Sequence, residues 1–170
     1  GRPKEVTVEH RNVVSLLAST ASLYNFASSD VWTMFHSPCF DFSVWEMYGS
    51  LLYGGKLVLV PKLIAQDASC YLELLEKEGV TVLNQTPSAF YQLIKHDLEQ
   101  SSSGLCLRYV IFGGEALSPG KLGDWMRLHP STCLINMYGI TETTVHVTYK
   151  EITMEQVAAN SSSIGKPIPS

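Results

Sequence analysis

The 170 residues carry 16 acidic and 12 basic side chains, a formal net charge of −4, with 45% hydrophobic and 16% charged residues. That balance excludes a disordered chain and leaves no basic stripe for nucleic acid. No apolar run approaches the ~20 residues of a membrane span, and the first residues lack the apolar core of a signal peptide.

The length fits one domain with a real core. Val13, Leu16 and Leu17 recur at the spacing of one helix face and predict an early amphipathic helix. Residues 31–35, 56–60, 80–83, 107–112 and 132–135 are short runs rich in β-branched and aromatic side chains, which predicts strands. Between them, 42–52, 68–78, 87–95 and 118–127 have helical length and spacing. Ser118-Pro119 supplies a cap and an N-terminal proline, while Gly54-Gly55 and Gly79 fall where helices stop. Residues 101–104 and 161–163 read as serine-rich loops.

Strand–helix alternation predicts an α/β fold, a parallel sheet covered by helices on both faces with right-handed crossovers. Ligands of such sheets bind beyond the carboxyl ends of the strands. Phe40-Asp41, Asn84-Gln85-Thr86-Pro87, Gly113-Gly114-Glu115 and Asn136–Thr144 each follow a predicted strand. The last of these combines an amide, a ring, a glycine, hydroxyls and a carboxylate. It reads either as a polar loop or as a turn that stacks a flat ring, bonds a phosphate and offers oxygen to a hard cation. Gly113-Gly114-Glu115 reads either as a tight turn or as a close backbone approach to a flat ligand, with Glu115 capping the turn. No P-loop, dinucleotide fingerprint or serine-hydrolase elbow is visible.

Asp41 lies in the apolar run Cys39–Tyr48 with no Lys or Arg nearby in sequence. It is either a helix N-cap or a buried carboxylate whose cation is a ligand ammonium. His36, His96 and His129 have no ligand-like spacing and read as packing or surface residues, whereas His146 follows the Asn136 turn and can face what it binds. Cys39, Cys70, Cys106 and Cys133 form no Cys-x-x-Cys pair and read as reduced, small buried apolar residues of a cytoplasmic protein.

Phe40–Glu46, Gly113-Gly114-Glu115, Asn136–Thr143 and Ile164-Gly165-Lys166-Pro167-Ile168 resemble successive core motifs of the adenylation domains of nonribosomal peptide synthetases, in the acyl-adenylate-forming superfamily. Gly1-Arg2-Pro3-Lys4 followed by Val8–Asn12 resembles the end of that family's phosphate loop. Glu5 departs from the family's usual glycine, and Ile140 from a common proline. The resemblance runs from end to end. With the absent initiator Met, it implies a piece of a larger protein, the core of an adenylation domain's N-terminal part (flavodoxin-like subdomain). The ribose-binding aspartate, the C-terminal subdomain with its catalytic lysine and the carrier domain would lie outside residues 1–170.

The resemblance implies a two-step ligase: an amino acid and ATP give aminoacyl-AMP and pyrophosphate, and the acyl group passes to a carrier-protein phosphopantetheine thiol. It places the α-ammonium on Asp41. The nucleotide falls against Gly113, Gly114, Glu115, Ala116, Asn136, Tyr138, Gly139 and Thr141, with Tyr138 on adenine. Thr141 and Glu142 take the catalytic phosphate and Mg²⁺ roles. The family's pocket positions fall on Asp41, Phe42, Trp45, Asn84, Ile111, Gly113, Met137, Val145 and His146, a set similar to the signature of threonine-activating domains. In that reading Asn84 and His146 address a β-hydroxyl, and Trp45, Ile111 and Met137 wall in a methyl. The competing readings are an acyl- or aryl-CoA synthetase fragment, disfavoured by the carboxylate at 41, and a non-catalytic binding or exchange subdomain.

Overall fold

The computed structural model describes residues 5–100 and 104–169. The expected end of a phosphate loop at 1–4, and residues 101–103 of the serine loop, lie outside the described residues. The elements run α1 (His10–Thr20), β1 (Val31–Met34), α2 (Phe42–Leu51), β2 (Lys56–Leu59), α3 (Lys62–Ala65), α4 (Ala68–Glu78), β3 (Val82–Gln85) and α5 (Pro87–Gln100). They continue with β4 (Tyr109–Phe112), a 3-10 turn (Pro119–Leu122), α6 (Gly123–Leu128), β5 (Cys133–Tyr138), a second 3-10 turn (Thr141–Thr143), β6 (Thr148–Glu151), α7 (Met154–Ala159) and β7 (Lys166–Pro167).

The strands form one sheet in the order β2-β1-β3-β4-β5-β6-β7. The first five are parallel, as strand–helix alternation requires. The expectation of a wholly parallel sheet fails at one edge, where β6 and β7 run antiparallel. Residues 139–147 turn the chain straight back from β5, with no crossover helix, so β6 can only pair in the opposite sense.

Strand alternation divides the core in two. Leu83, Val110, Phe112 and Leu134 pack on one face against residues of α4 to α7, among them Leu72, Phe90, Trp125 and Val157. Val82, Ile111, Ile135 and Met137 face the other way, toward Leu16 and Leu17 of α1 and Phe42 and Trp45 of α2. Helices therefore cover both faces, as expected.

Local chemistry explains the boundaries. Asp67 caps α4 by accepting from the Ser69 and Cys70 amides at 3.0 and 3.1 Å, and Gly79 ends it in the left-handed conformation at φ 61°. The helix expected over 118–127 divides into a 3-10 turn and α6. Residues 136–138, read from sequence as part of a turn, extend β5 instead. The cysteine expectation also needs correcting: Cys39, Cys70 and Cys106 are exposed and Cys133 is half-buried, and none is in a disulfide. Among the described residues no helix is long and apolar enough to cross a membrane.

Candidate functional site

Because β1, β3, β4 and β5 are parallel, their carboxyl ends deliver His36, Thr86, Gly113 and Gly139 to the same edge of the sheet. Three chambers open there. One, of about 350 Å³, lies between Gly114–Leu117 after β4 and Asn136–Ile140 at the end of β5, with Ser162 and Ile164 closing it. Tyr138 is 48% exposed at its wall, a ring available for stacking. Gly114 sits at φ 81°, and a Cβ there would come within 3.1 Å of the Phe40 ring. Glu115 commits its carboxylate to α5, accepting from the Ser88 amide at 3.1 Å and its hydroxyl at 2.9 Å. Its contribution to this chamber is backbone and stem rather than a free charge. The Asn136 amide similarly donates to the Ser163 carbonyl at 2.9 Å.

The second chamber, about 380 Å³, is lined by Asp41, Val44 and Tyr48 at the start of α2, Val8–His10 and Val13 at the start of α1, and Thr141, Thr144 and Val145. Asp41 occupies the N-cap position of α2 but makes no capping hydrogen bond. It is half-buried rather than enclosed, and no ion pair to it is found among the described residues. The N-cap alternative therefore fails, and the carboxylate is left facing a cavity. Thr141 lines this chamber rather than the one beside Tyr138, and Glu142 is exposed on the same 3-10 turn. The third chamber, also about 380 Å³, is lined by Asn12, Ser15 and Ser19 of α1 together with Thr143, Thr144 and His146.

The loop between them is tightly folded. Val147 donates to the Tyr138 carbonyl at 2.7 Å, and His146 to the Thr144 carbonyl at 2.8 Å. Thr144 and Val145 both sit at φ 65°, a conformation that β-branched residues adopt at a cost. A Cβ on Gly139 would fall 2.2 Å from the Val145 carbonyl oxygen, so glycine is required there.

Behind the loop the residues expected to form a side-chain pocket come together. Phe42, Trp45, Asn84, Ile111 and Met137 are each 0–2% exposed. The Trp45 indole donates to Asn84 Oδ1 at 3.0 Å, so Trp45 is more than an apolar wall. His146 stands edge-on to Phe42 and Trp45, with ring centroids 5.1 and 5.2 Å away. Gly113 makes room for it, since a Cβ there would meet His146 at 3.1 Å and Phe42 at 3.2 Å. Asn84 Nδ2 and both ring nitrogens of His146 are buried without a hydrogen-bond partner among the described residues. Burial, assisted by the nearby His36, pulls the His146 pKa down to about 3, so the ring is neutral at physiological pH. Unsatisfied polar atoms in an apolar enclosure are costly; His146 also lines the third chamber, whereas Asn84 lines none of the three.

Sequence reasoning missed a layer behind this pocket. Of the packing and surface alternatives, His36 takes packing, and the partner it finds was not foreseen: its Nδ1 lies 3.0 Å from Glu46 Oε1 with both side chains buried. It also missed Ser162 and Ile164 at the first chamber, although Ile164–Ile168 was legible as a motif. His96 takes no part in the chambers described, and His129 pairs with Asp97 at 2.6 Å on the far face.

Residues 1–170 match the AMP-binding enzyme family. The chain is 57% identical over 168 residues to a plipastatin synthase from Bacillus subtilis (strain 168), a match that covers 99% of this chain and 6% of that protein. It is 55% identical over 174 residues to the dimodular nonribosomal peptide synthase of the same strain, covering 99% of this chain and 7% of that one. The chain thus spans less than a tenth of the length of either relative. The solved Vibrio cholerae adenylation domain AlmE, in complex with glycyl-adenosine-5'-phosphate, superposes with a TM-score of 0.80 at 26% identity, over 98% of this chain and 31% of that chain.

Proposed function

This chain belongs to the AMP-binding enzyme family, and from that premise we propose that it is the pocket-bearing part of a nonribosomal peptide synthetase adenylation domain. The complete domain activates an amino acid with ATP as aminoacyl-AMP, releasing pyrophosphate, and loads it onto a phosphopantetheine carrier. The observation that carries this reading is Asp41: a carboxylate without an ion-pair partner among the described residues, facing a cavity that it shares with Thr141. Such a group suits a substrate ammonium, which a fatty or aryl acid does not bring.

Placement supports the remaining roles. The chamber between Gly114–Ala116 and Asn136–Gly139 suits a flat base stacked on Tyr138, with backbone groups supplying polar contacts. Thr141 suits a phosphate oxygen. Glu142 is a single exposed carboxylate. It would suit Mg²⁺, which keeps several waters and binds through one or two carboxylates plus substrate phosphates. When bound, the ion would neutralise phosphate charge.

The amino acid proposed is L-threonine. Asn84 Nδ2 and a His146 nitrogen supply partners for a β-hydroxyl, and Ile111 and Met137 an apolar wall for its methyl. The test is amino-acid-dependent ATP–pyrophosphate exchange by the complete domain, before and after Asp41→Ala. Threonine-dependent exchange should appear in the parent. The substitution should lower kcat/KM by the roughly 2–5 kcal/mol of a severed desolvated charge pair. A variant that keeps parental kcat/KM removes Asp41 from the ammonium site. Exchange driven by a fatty or aryl acid instead would turn the reading toward an acyl- or aryl-CoA synthetase.

A further inference from the structure

Glu46 is fully buried on α2, one turn beyond Phe42, with no lysine or arginine paired to it among the described residues. Its carboxylate instead accepts three hydrogen bonds from the end of β1: the Phe35 amide at 3.3 Å, the His36 amide at 3.1 Å and His36 Nδ1 at 3.0 Å. These are the amides left over where the β1 ladder runs out, so one side chain of α2 closes the strand end. Burial pushes the Glu46 carboxyl up, and the bonds from His36 pull it partly back.

An ionised Glu46 accepts from Nδ1, which then carries the ring proton, and the bond holds the ring plane. That ring lies nearly parallel to Phe42, with centroids 4.6 Å apart and planes 22° apart. Phe42 stands edge-on to His146, and both leave room at Gly113 only because glycine has no Cβ. His36 Nε2 is buried without a partner among the described residues, so Glu46 supplies the ring's hydrogen bond while Phe42, Phe35 and Phe40 pack around it. The contacts form an unbroken line from the carboxylate to the unsatisfied end of the pocket.

We propose that Glu46 and His36 are positioning residues for the substrate pocket: the carboxylate orients the imidazole, the imidazole seats Phe42, and Phe42 sets the space beside His146 in which the substrate side chain is read. The proposal rests on the adenylation reading and extends specificity one layer behind the side chains that touch substrate. A buried pair that served only to hold β1 to α2 would need no ring stacked on a pocket wall.

The experiment uses the complete adenylation domain. His36→Phe keeps a flat ring against Phe42 but removes Nδ1, and the double variant with Glu46→Gln removes the buried charge that would then rest on the two backbone amides alone. Both are assayed by pyrophosphate exchange for KM of amino acid and of ATP, with threonine, serine and valine, alongside thermal unfolding. The expected result is a rise in amino-acid KM of about tenfold or more with ATP KM within about twofold, and altered ratios among the three amino acids. The double variant should recover thermal stability over His36→Phe while keeping the raised KM. If the single variant does not fold, the double variant carries the test alone. A folded variant with unchanged amino-acid KM and unchanged ratios overturns the proposal, as does a parallel rise in both KM values. A parent without any amino-acid-dependent exchange defeats the adenylation reading itself, and does so before any variant is made.

Discussion

Asn84 and Gln85 are neighbours in β3, both amides, both at most 2% exposed, and they face opposite sides of the sheet. Gln85 turns toward α4 and donates to the Tyr71 hydroxyl at 3.3 Å, which is itself 3.1 Å from Thr33 Oγ1. Asn84 turns toward α2, accepts from Trp45 and leaves its own amide nitrogen unpaired. The same division holds across the two cores. Under α4 to α7, Phe90 is edge-on to both Phe112 and Trp125, at 5.1 and 5.0 Å, and Trp125 donates to Asp97 at 2.7 Å. Under α1 and α2, both His146 nitrogens, Asn84 Nδ2 and Trp32 Nε1 are buried without a partner among the described residues. Asp97 Oδ1 and Thr148 Oγ1 are the counterparts on the first face. The second face gathers more unpartnered polar atoms than the first, and the proposed threonine site gives those at Asn84 and His146 a partner.

The sharpest way to break that contrast is to make the second face as apolar as the first. Replacing Asn84 by leucine and His146 by phenylalanine in the complete domain removes the polar atoms that valine would leave unpaired. The threonine-over-valine preference should then fall by up to about 10⁴-fold, while threonine over serine stays within about 10–200-fold, the worth of one methyl group. Exchange rates with the three amino acids measure both ratios. An unchanged threonine/valine ratio would show that the hydroxyl is read elsewhere. Part of the effect will be a general loss of stability, because Asn84→Leu strips Trp45 Nε1 of its acceptor.

The complementary substitution falls on the packed face. Trp125 is fully buried, edge-on to Phe90, and stacked on His129 at 4.2 Å. Trp125→Ala should cost about 3–5 kcal/mol and lower the melting temperature by on the order of 10 °C. The three-amino-acid ratios of the folded variant should not move. A specificity shift from this position would mean that the two faces are coupled through the sheet.

How much of this was legible in the sequence differs between the same regions. The five parallel strands and the helices over them declared themselves through apolar runs and helical spacing, because burial on both faces demands continuous β-branched and aromatic stretches. The antiparallel edge did not. Thr148–Glu151 is short, half-polar and bounded by no clear turn signal, and β7 is two residues long. The helix Met154–Ala159 was within reach, since Thr153 and Gln156 make a capping box three residues apart. In the site, the motifs named residues that the fold gathers at one edge of the sheet, but not their partners. Only folding reveals that Glu115 is tied to Ser88 and Asn136 to Ser163 across 27 residues each, and that Glu46 is held by His36.

The smallest effect tests whether the unsatisfied histidine is the cost of the site. An unfolded imidazole takes up a proton near pH 6.5, whereas His146 in the folded chain resists protonation down to about pH 3. Between those values the unfolded state binds the extra proton, so this residue contributes stability that is present above pH 6.5 and lost as pH falls toward 3. Glu46 acts in the opposite sense, because its raised carboxyl takes up a proton in the folded state first. The contribution of His146 is therefore read as a difference. Urea unfolding of the parent and of His146→Phe at pH 7 and pH 5 should show the parent losing about 2 kcal/mol more than the variant on acidification. If both lose stability equally, the imidazole is protonated or solvated in the folded chain. The second face would then be no less satisfied than the first.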